Sequence, residues 1–262
     1  MNSSFSGIRR RRLLACALVF ILCLPIAAGM EAAAPKGSSI LLTFTGDCTL
    51  GGQEWLRARD FSFVSHIKKH GYAYPFAKVK DLFEEDDLTV INLENVFYDK
   101  TSTPAQKNYL FRAPEDFARI LLEGSVEVAF VANNHILDYG TAGMNSTLKA
   151  LEDQGISWFG SNYHLDGTYI YEKDGVKIGF IGSYQSYWYS RRETFAASLQ
   201  ALKDAGCSAI IGIIHDGTEY ALNRGKRQMT MAAWLVKNGV NLVIGHHPHV
   251  PQGIDILDGV TV

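Results

Sequence analysis

The stretch 240-VNLVIGHHPHVPQG-253 is an apolar, β-forming run that ends in glycine and then in His246, His247 and His249, set around Pro248. The run reads as a buried strand. In an open α/β sheet, functional side chains gather just beyond the carboxyl ends of strands. The chain holds eight histidines in all, so three at one strand end raise the question of whether other strands end in the same chemistry. A metal site is one reading, and a polar loop rich in histidine is the other.

Working outward, strands and helices alternate. The segments 40-ILLTFTG-46, 88-LTVINLE-94, 126-VEVAFVAN-133 and 208-SAIIGIIH-215 read as strands. Helices are predicted at 76-FAKVKDLFEEDD-87, at 114-PEDFARILLEG-124 behind Pro114, at 142-AGMNSTLKALEDQG-155, and over residues 193–205 and 225–238. Lys173-Asp174-Gly175 marks a hairpin between residues 169–172 and 176–181. The alternation predicts one α/β domain over residues 40–262 with a mostly parallel central sheet. Residues 254–262 read as a strand, an Asp-Gly turn and a short returning strand, which predicts at least one further strand beyond Val262.

The strand ends share a theme. The first ends in Gly46-Asp47 and the second in Asn92-Leu93-Glu94. The third ends in 132-ANNHILDYG-140, offering Asn133, Asn134, His135 and Asp138. The later two end in 215-HDGTEY-220, with His215 and Glu219, and in the histidine cluster. Carboxylates, an amide and imidazoles together are the ligand mixture of a dinuclear centre for hard or borderline cations. Singly each has a plainer role: Asp47 as a turn or N-cap residue, Asn133 and Asn134 as a turn, His215 as a satisfied core histidine, Glu219 as a cap. Glu94 fits a plain role least, because a buried carboxylate needs partners. His66, His70 and His164 lie away from strand ends and read as surface residues. The aromatic stretch 184-YQSYWYS-190 lines a cleft or packs over the sheet.

Composition sets the setting. Residues 1–34 carry Arg9, Arg10, Arg11 and Arg12, an apolar run over residues 13–29 and small residues up to Ala34, the pattern of a signal peptide or an N-terminal membrane anchor. Residues 35–39 form a short linker, and the domain that follows is expected outside the cytoplasm, secreted or held at the cell membrane. The formal charge of −2 becomes −5 without residues 1–34, because their four arginines outweigh Glu31. That acidic body offers no footprint for nucleic acid. Cys48 and Cys207, the cysteines beyond this segment, form no Cys-x-x-Cys, so a thiolate zinc site is not supported.

Taken in order, 46-GDCTLGG-52, 91-INLEN-95, 132-ANNHILDYG-140, 215-HDGTEY-220 and 245-GHHPHVPQG-253 resemble the bacterial capsule-synthesis CapA family, also called the poly-γ-glutamate synthesis family. The resemblance covers the chain from about residue 40 to its end. It implies a calcineurin-like metallophosphoesterase fold, an αββα sandwich of mixed sheets, and two divalent ions (Mn, Zn or Fe). It further implies Asp47, Glu94, Asn134, His215, His247 and His249 as ligands, with Glu94 bridging. His135 would be the general acid, oriented by Asp138. His246 is an alternative to His247, and Asn92, Asn133 and Glu219 would act from behind the ligands. The chain departs from the pattern at 47-DCT-49, which lacks the histidine of Asp-x-His, and at Asp216, where the family often has tryptophan. A Ser-Leu-Gly-Asn-Phe segment that the family usually carries further on does not follow.

Three functional readings stay open. One is an exported envelope protein with a metal-dependent hydrolase-type site, acting on a phosphoester or on an anionic polymer such as poly-γ-glutamate. A second is a non-catalytic component of a membrane synthesis and export complex that binds the polymer. A third is a secreted metallophosphatase unrelated to capsule.

Overall fold

The computed structural model describes residues 39–100 and 102–262. The signal or anchor segment expected over residues 1–34 lies outside them. Among the described residues, no helix is long and apolar enough to cross a membrane.

The chain runs β1 (Leu42–Cys48), α1 (Phe63–His70), α2 (Lys80–Glu85), β2 (Leu88–Leu93), β3 (Val96–Phe97), β4 (Arg112–Ala113), α3 (Arg119–Glu123), β5 (Val128–Phe130) and α4 (Gly140–Asp153). It continues with β6 (Ser157–Asn162), β7 (Leu165–Gly167), β8 (Tyr169–Lys173), β9 (Val176–Tyr184), α5 (Gln185–Ser190) and α6 (Arg192–Asp204). It closes with β10 (Ala209–His215), α7 (Lys226–Lys237), β11 (Leu242–His246), β12 (Ile256–Leu257) and β13 (Val260–Thr261). The main sheet has the order β1-β2-β5-β6-β9-β10-β11-β13-β12, parallel as far as β13 and antiparallel at its hairpins. The α/β architecture with a mostly parallel central sheet is the one expected.

This sheet is folded over on itself. Phe44 of β1 and Phe180 of β9 lie with ring centroids 6.5 Å apart, although β2, β5 and β6 stand between them in the strand order. A flat sheet would separate them by roughly 19 Å at about 4.8 Å per strand. The fold line is β6. Ser157, Trp158 and Phe159 pair with β5, while only Ser161 pairs with β9. Gly160 sits between the two pairings at φ 134°, and a Cβ there would lie 2.8 Å from the main-chain nitrogen of Ala132. Glycine is needed both for that conformation and for that approach.

Three apolar layers follow from the period-two alternation of the strands. Leu88, Val90, Val128 and Phe130 face Phe180, Ile211 and Ile213 across the fold. Outside the first half, Ile91, Leu93 and Ala129 pack under Ile120, Leu121, Met144 and Leu151 of the helices. Outside the second half, Ile181, Ile210, Ile214 and Val243 pack under Leu199, Leu202, Met231 and Leu235. The result is helix, sheet, sheet, helix, with the two sheet layers belonging to one continuous ladder.

Several local expectations change. The helix predicted over residues 76–87 is a 3₁₀ turn at Tyr74–Phe76 followed by α2, and that over residues 114–124 likewise opens as a 3₁₀ turn. The aromatic stretch packs rather than lining a cleft: Tyr187 and Trp188 are buried in the outer layer of the second half. Asp174-Gly175 and Asp258-Gly259 each hold two successive positive φ values, the turn that closes the β8–β9 and β12–β13 hairpins. Cys48 and Cys207 are free and half-buried.

Candidate metal centre

The alternation that builds the inner layer also aims the site. On β2, Leu88 and Val90 point between the sheets, so Asn92, two residues on, keeps that face at the carboxyl end. The same count carries β10 from Ile211 and Ile213 to His215, and β11 from Leu242 and Ile244 to His246. Strand β1 would send Asp47 to the opposite face. Its ladder slips, however: Phe44 pairs with Val90 but Asp47 pairs with Asn92, which leaves one extra residue in β1. That bulge turns Asp47 toward the others.

The half built from β1, β2 and β5 supplies oxygen. Glu94 is fully buried, and neither of its carboxylate oxygens accepts a hydrogen bond. Burial, and then the charge of Asp47 beside it, pushes its pKa up to about 9. Asn92 donates through Nδ2 to Asp47 Oδ1 at 2.7 Å and to His215 Nδ1 at 3.2 Å. Asn133 Nδ2 in turn donates to Asn92 Oδ1 at 3.0 Å and to the Leu93 carbonyl at 2.7 Å. Its own Oδ1 accepts from the backbone N–H groups of His135 and Ile136. Asn133 therefore shapes the turn that presents Asn134 and His135. His135 Nδ1 donates to Asp138 Oδ2 at 2.7 Å, and its Nε2 lies 3.9 Å from Glu94 Oε1.

The half built from β9, β10 and β11 supplies nitrogen. His215 Nε2 lies 2.8 Å from Asn134 Oδ1 and 3.6 Å from Glu94 Oε1. His249 Nδ1 lies 2.8 Å from Asp47 Oδ2, and the His247 N–H approaches both Asp47 oxygens at 3.3 Å. Both residues hold positive φ, 95° at His247 and 56° at His249, around buried Pro248. Non-glycine backbone of this kind costs about 1–3 kcal/mol per residue and persists where function requires it. His215 is held well below the usual histidine pKa, by burial first and then by His247, His246, His135 and His249 around it. Burial also lowers His246 to about 4, against the opposing charge of Asp47, and lowers His247, with His249 adding to the effect. Such imidazoles stay neutral, the state in which they can bind a cation.

Two groups of side chains here could hold a metal ion: Asp47, Glu94 and His215, and Glu94, His247 and His249, each with one ligand atom per residue within 4.8 Å of the others. Glu94 belongs to both. Its unpartnered oxygens are the observation that fits a cation, since a buried carboxylate left without a donor is costly. Asn134 Oδ1 joins the first group through His215. A cavity of about 640 Å³ opens beside the centre, lined in part by Asp47, His247, His249, Arg224, Gln228 and Gln252.

Eleven of the residues singled out in the sequence thus converge, from Asp47 to His249. Glu219 stands at the margin of the cluster: it is exposed, and its charge acts on both Glu94 and His247, raising the pKa of each. His246 is buried and stacked on Phe130 at 6.3 Å, with Nδ1 3.6 Å from Asp47 Oδ1; it belongs to neither candidate group, whereas His247 and His249 share one with Glu94. His66, His70 and His164 are exposed, as expected. Asp216 is fully buried, with Oδ1 taking Arg227 Nη2 at 2.9 Å and the Gly217 N–H at 2.7 Å. Sequence reasoning missed Lys107. It stands in a polar loop with no motif around it, yet its ammonium reaches Asp138 Oδ1 at 2.6 Å.

Fold and site first define a class: a four-layered α/β sandwich with carboxylate, amide and imidazole groups at converging strand ends. Within that class, the chain belongs to the family described as bacterial capsule synthesis protein PGA_cap, whose pattern matches residues 41–262. The chain is 25% identical over 272 aligned positions to the PGA biosynthesis protein CapA of Bacillus subtilis (strain 168), covering 95% of this chain and 69% of that protein. It is also 25% identical over 256 positions to the capsule biosynthesis protein CapA of Bacillus anthracis, covering 86% and 59%. A probable polyglutamine synthesis accessory protein of Mycobacterium tuberculosis is 26% identical over 200 positions, covering 66% and 52%. The chain therefore spans between about half and about two thirds of the length of these relatives.

Proposed function

We propose that this chain serves capsule or poly-γ-glutamate synthesis or export at the cell envelope through a hydrolase-type centre for two divalent cations. Family membership supports the setting, and the arginine-rich, apolar segment over residues 1–34 supports export. The observation that carries the chemistry is Glu94, whose two unpartnered oxygens are shared by both candidate ligand groups.

Asp47, Glu94, Asn134 and His215 would hold one cation, and Glu94, His247 and His249 the other. Bound there, cations would supply Lewis-acid activation of a water molecule and of a phosphoryl or acyl oxygen. The protein's own groups do the remainder. Asn92 orients Asp47 and His215 from behind, as partners of metal ligands do. Asp138 accepts from His135 Nδ1, so that Nε2 faces the centre; carrying a second proton there, as the imidazolium, the ring can pass that proton to a leaving oxygen and return to the neutral form. Phosphoesters and the amide bonds of an anionic polymer are both within reach of that arrangement, because fold does not dictate reaction.

The test is metal content by elemental analysis, followed by turnover of an aryl phosphate with added manganese or zinc. Metal retained by the unaltered chain and lost in Glu94→Ala, together with turnover, supports the reading. An unaltered chain that binds no cation overturns it. A second reading, a non-catalytic polymer-binding component of a membrane synthesis and export complex, is favoured by one feature: position 49 is threonine, so Asp47 lacks the imidazole neighbour of Asp-x-His. Bound metal with no turnover, and polymer production lost in Glu94→Ala cells, would select it. Family membership weighs against a metallophosphatase unrelated to capsule.

A further inference from the structure

The loop between β3 and β4 crosses the centre on its His135 side, and one carboxylate fastens it there. Asp138 is fully buried. Its Oδ2 accepts from His135 Nδ1 and from the Phe111 N–H, both at 2.7 Å, and its Oδ1 accepts from Lys107 Nζ at 2.6 Å. Its main-chain oxygen accepts from the Ala105 N–H at 2.8 Å. Lys107 also donates to the Asn134 carbonyl at 2.6 Å and lies 3.4 Å from His135 Nδ1. The Phe111 ring lies over the imidazole of His135 with centroids 4.2 Å apart.

We infer that Lys107 is a positioning residue, and that residues 105–111 form a strap which fixes the imidazole of His135 for proton transfer. The inference rests on the reading of His135 as the proton donor. Its physical basis is the contrast between this ion pair and an ordinary surface one. Lys149 and Asp153 also sit at 2.7 Å, but with side chains 72% and 57% exposed, where a pair contributes little. Lys107 is 31% exposed and its partner 0%, so its ammonium supplies the charge partner that a buried carboxylate requires. By binding the Asn134 carbonyl as well, Lys107 ties both ends of the turn over residues 134–138. Neither end can then rotate without breaking a charge-assisted hydrogen bond. Phe111 blocks one face of the ring, which leaves Nε2 its approach to Glu94.

The role predicts a signature that simple loss of structure would not give. A general acid matters most where the leaving group is poor. In the whole chain, Lys107→Met should lower kcat by about 10-fold or more on phenyl phosphate and by much less on p-nitrophenyl phosphate, with KM and manganese affinity held. Lys107→Arg should restore most of the loss, because a cation again reaches Asp138. Independently of activity, the ring ¹⁵N signals of His135 in the metal-free chain, assigned by their loss in His135→Asn, should shift in Lys107→Met. In the same variant the amides of Ala105 and Phe111 should exchange faster with solvent. Equal losses on the two esters, or unchanged His135 ring signals in Lys107→Met, overturn the positioning role. If the unaltered chain hydrolyses neither ester, the hydrolase reading fails on its own account, and the ring signals alone then decide the role of Lys107.

Discussion

The two halves of the folded sheet bring opposite chemistry to one edge. The first half contributes Asp47, Asn92, Glu94, Asn133 and Asn134, an oxygen-rich set in which side-chain amides link Asp47, Asn92 and Asn133. The second contributes His215, His246, His247 and His249; burial first, joined at His215 and His247 by neighbouring imidazoles, holds His215, His246 and His247 in the neutral state. Support differs as well. The ligands of the first half sit at or just beyond strand ends, whereas His247 and His249 hang on a loop with unfavourable φ. Neither half completes a candidate ligand group, since each group takes a carboxylate from one half and imidazole from the other. The difference teaches that the centre is a property of the sheet's fold-over, with Glu94 as the residue common to both sides.

The most severe way to break the comparison is Glu94→Ala, which removes the shared carboxylate. Cation affinity should fall by more than the roughly 10–100-fold that loss of an outer partner costs, and elemental analysis should find both groups empty. His135→Ala should leave bound metal unchanged while turnover falls by about 10²–10⁴-fold, separating proton transfer from cation binding. Asn92→Ala removes a side-chain amide that donates to both Asp47 and His215, so calorimetric titration should show manganese affinity reduced by about 10–100-fold. Gly182→Ala sharpens the comparison from the core: a Cβ there would lie 2.5 Å from the Phe130 ring across the fold. It should cost about 1–3 kcal/mol, read as a Tm lower by several degrees with the side chains of the site intact.

The last effect expected is one of pH. Glu94, raised to about 9 in the folded chain from 4.5, keeps its proton where the unfolded chain releases it. Stability of the metal-free chain should therefore fall as pH rises from 4.5 toward 9. The buried histidines act in the opposite sense. His246, lowered to about 4 from 6.5, costs stability as pH falls below 6.5. Between pH 6.5 and 9 these imidazoles are neutral in both states, so the fall there belongs to Glu94. Thermal melts of Glu94→Gln across that window should be flatter than those of the unaltered chain.

Much of this was readable in advance. Strands ending in Asp47, Glu94, Asn134, His215 and His247 announce themselves, because apolar runs and abrupt polar ends are local features. Strand β6 did not: 157-SWFGSN-162 has no apolar run, since its Gly160 and Ser161 meet backbone and hydrogen-bond partners where other strands bury aliphatic chains. Asp47 was legible as a candidate and its aim was not, because a bulge changes the face a residue occupies without changing local composition. Lys107 lay in a stretch with no pattern.

By itself, then, the sequence determined the alternation of elements, the identity of the chemical groups at the strand ends and the family to which they point. These depend on periodicity and on short motifs, both carried by neighbouring residues. Tertiary structure alone decided that the sheet folds at Gly160, that Asp47 and Asn92 share a face, and that Glu94 stands between two sets of histidines. It also decided that Lys107 reaches across to Asp138. Each of these joins residues far apart along the chain, and such contacts form only when the burial of a common apolar layer brings the two halves together.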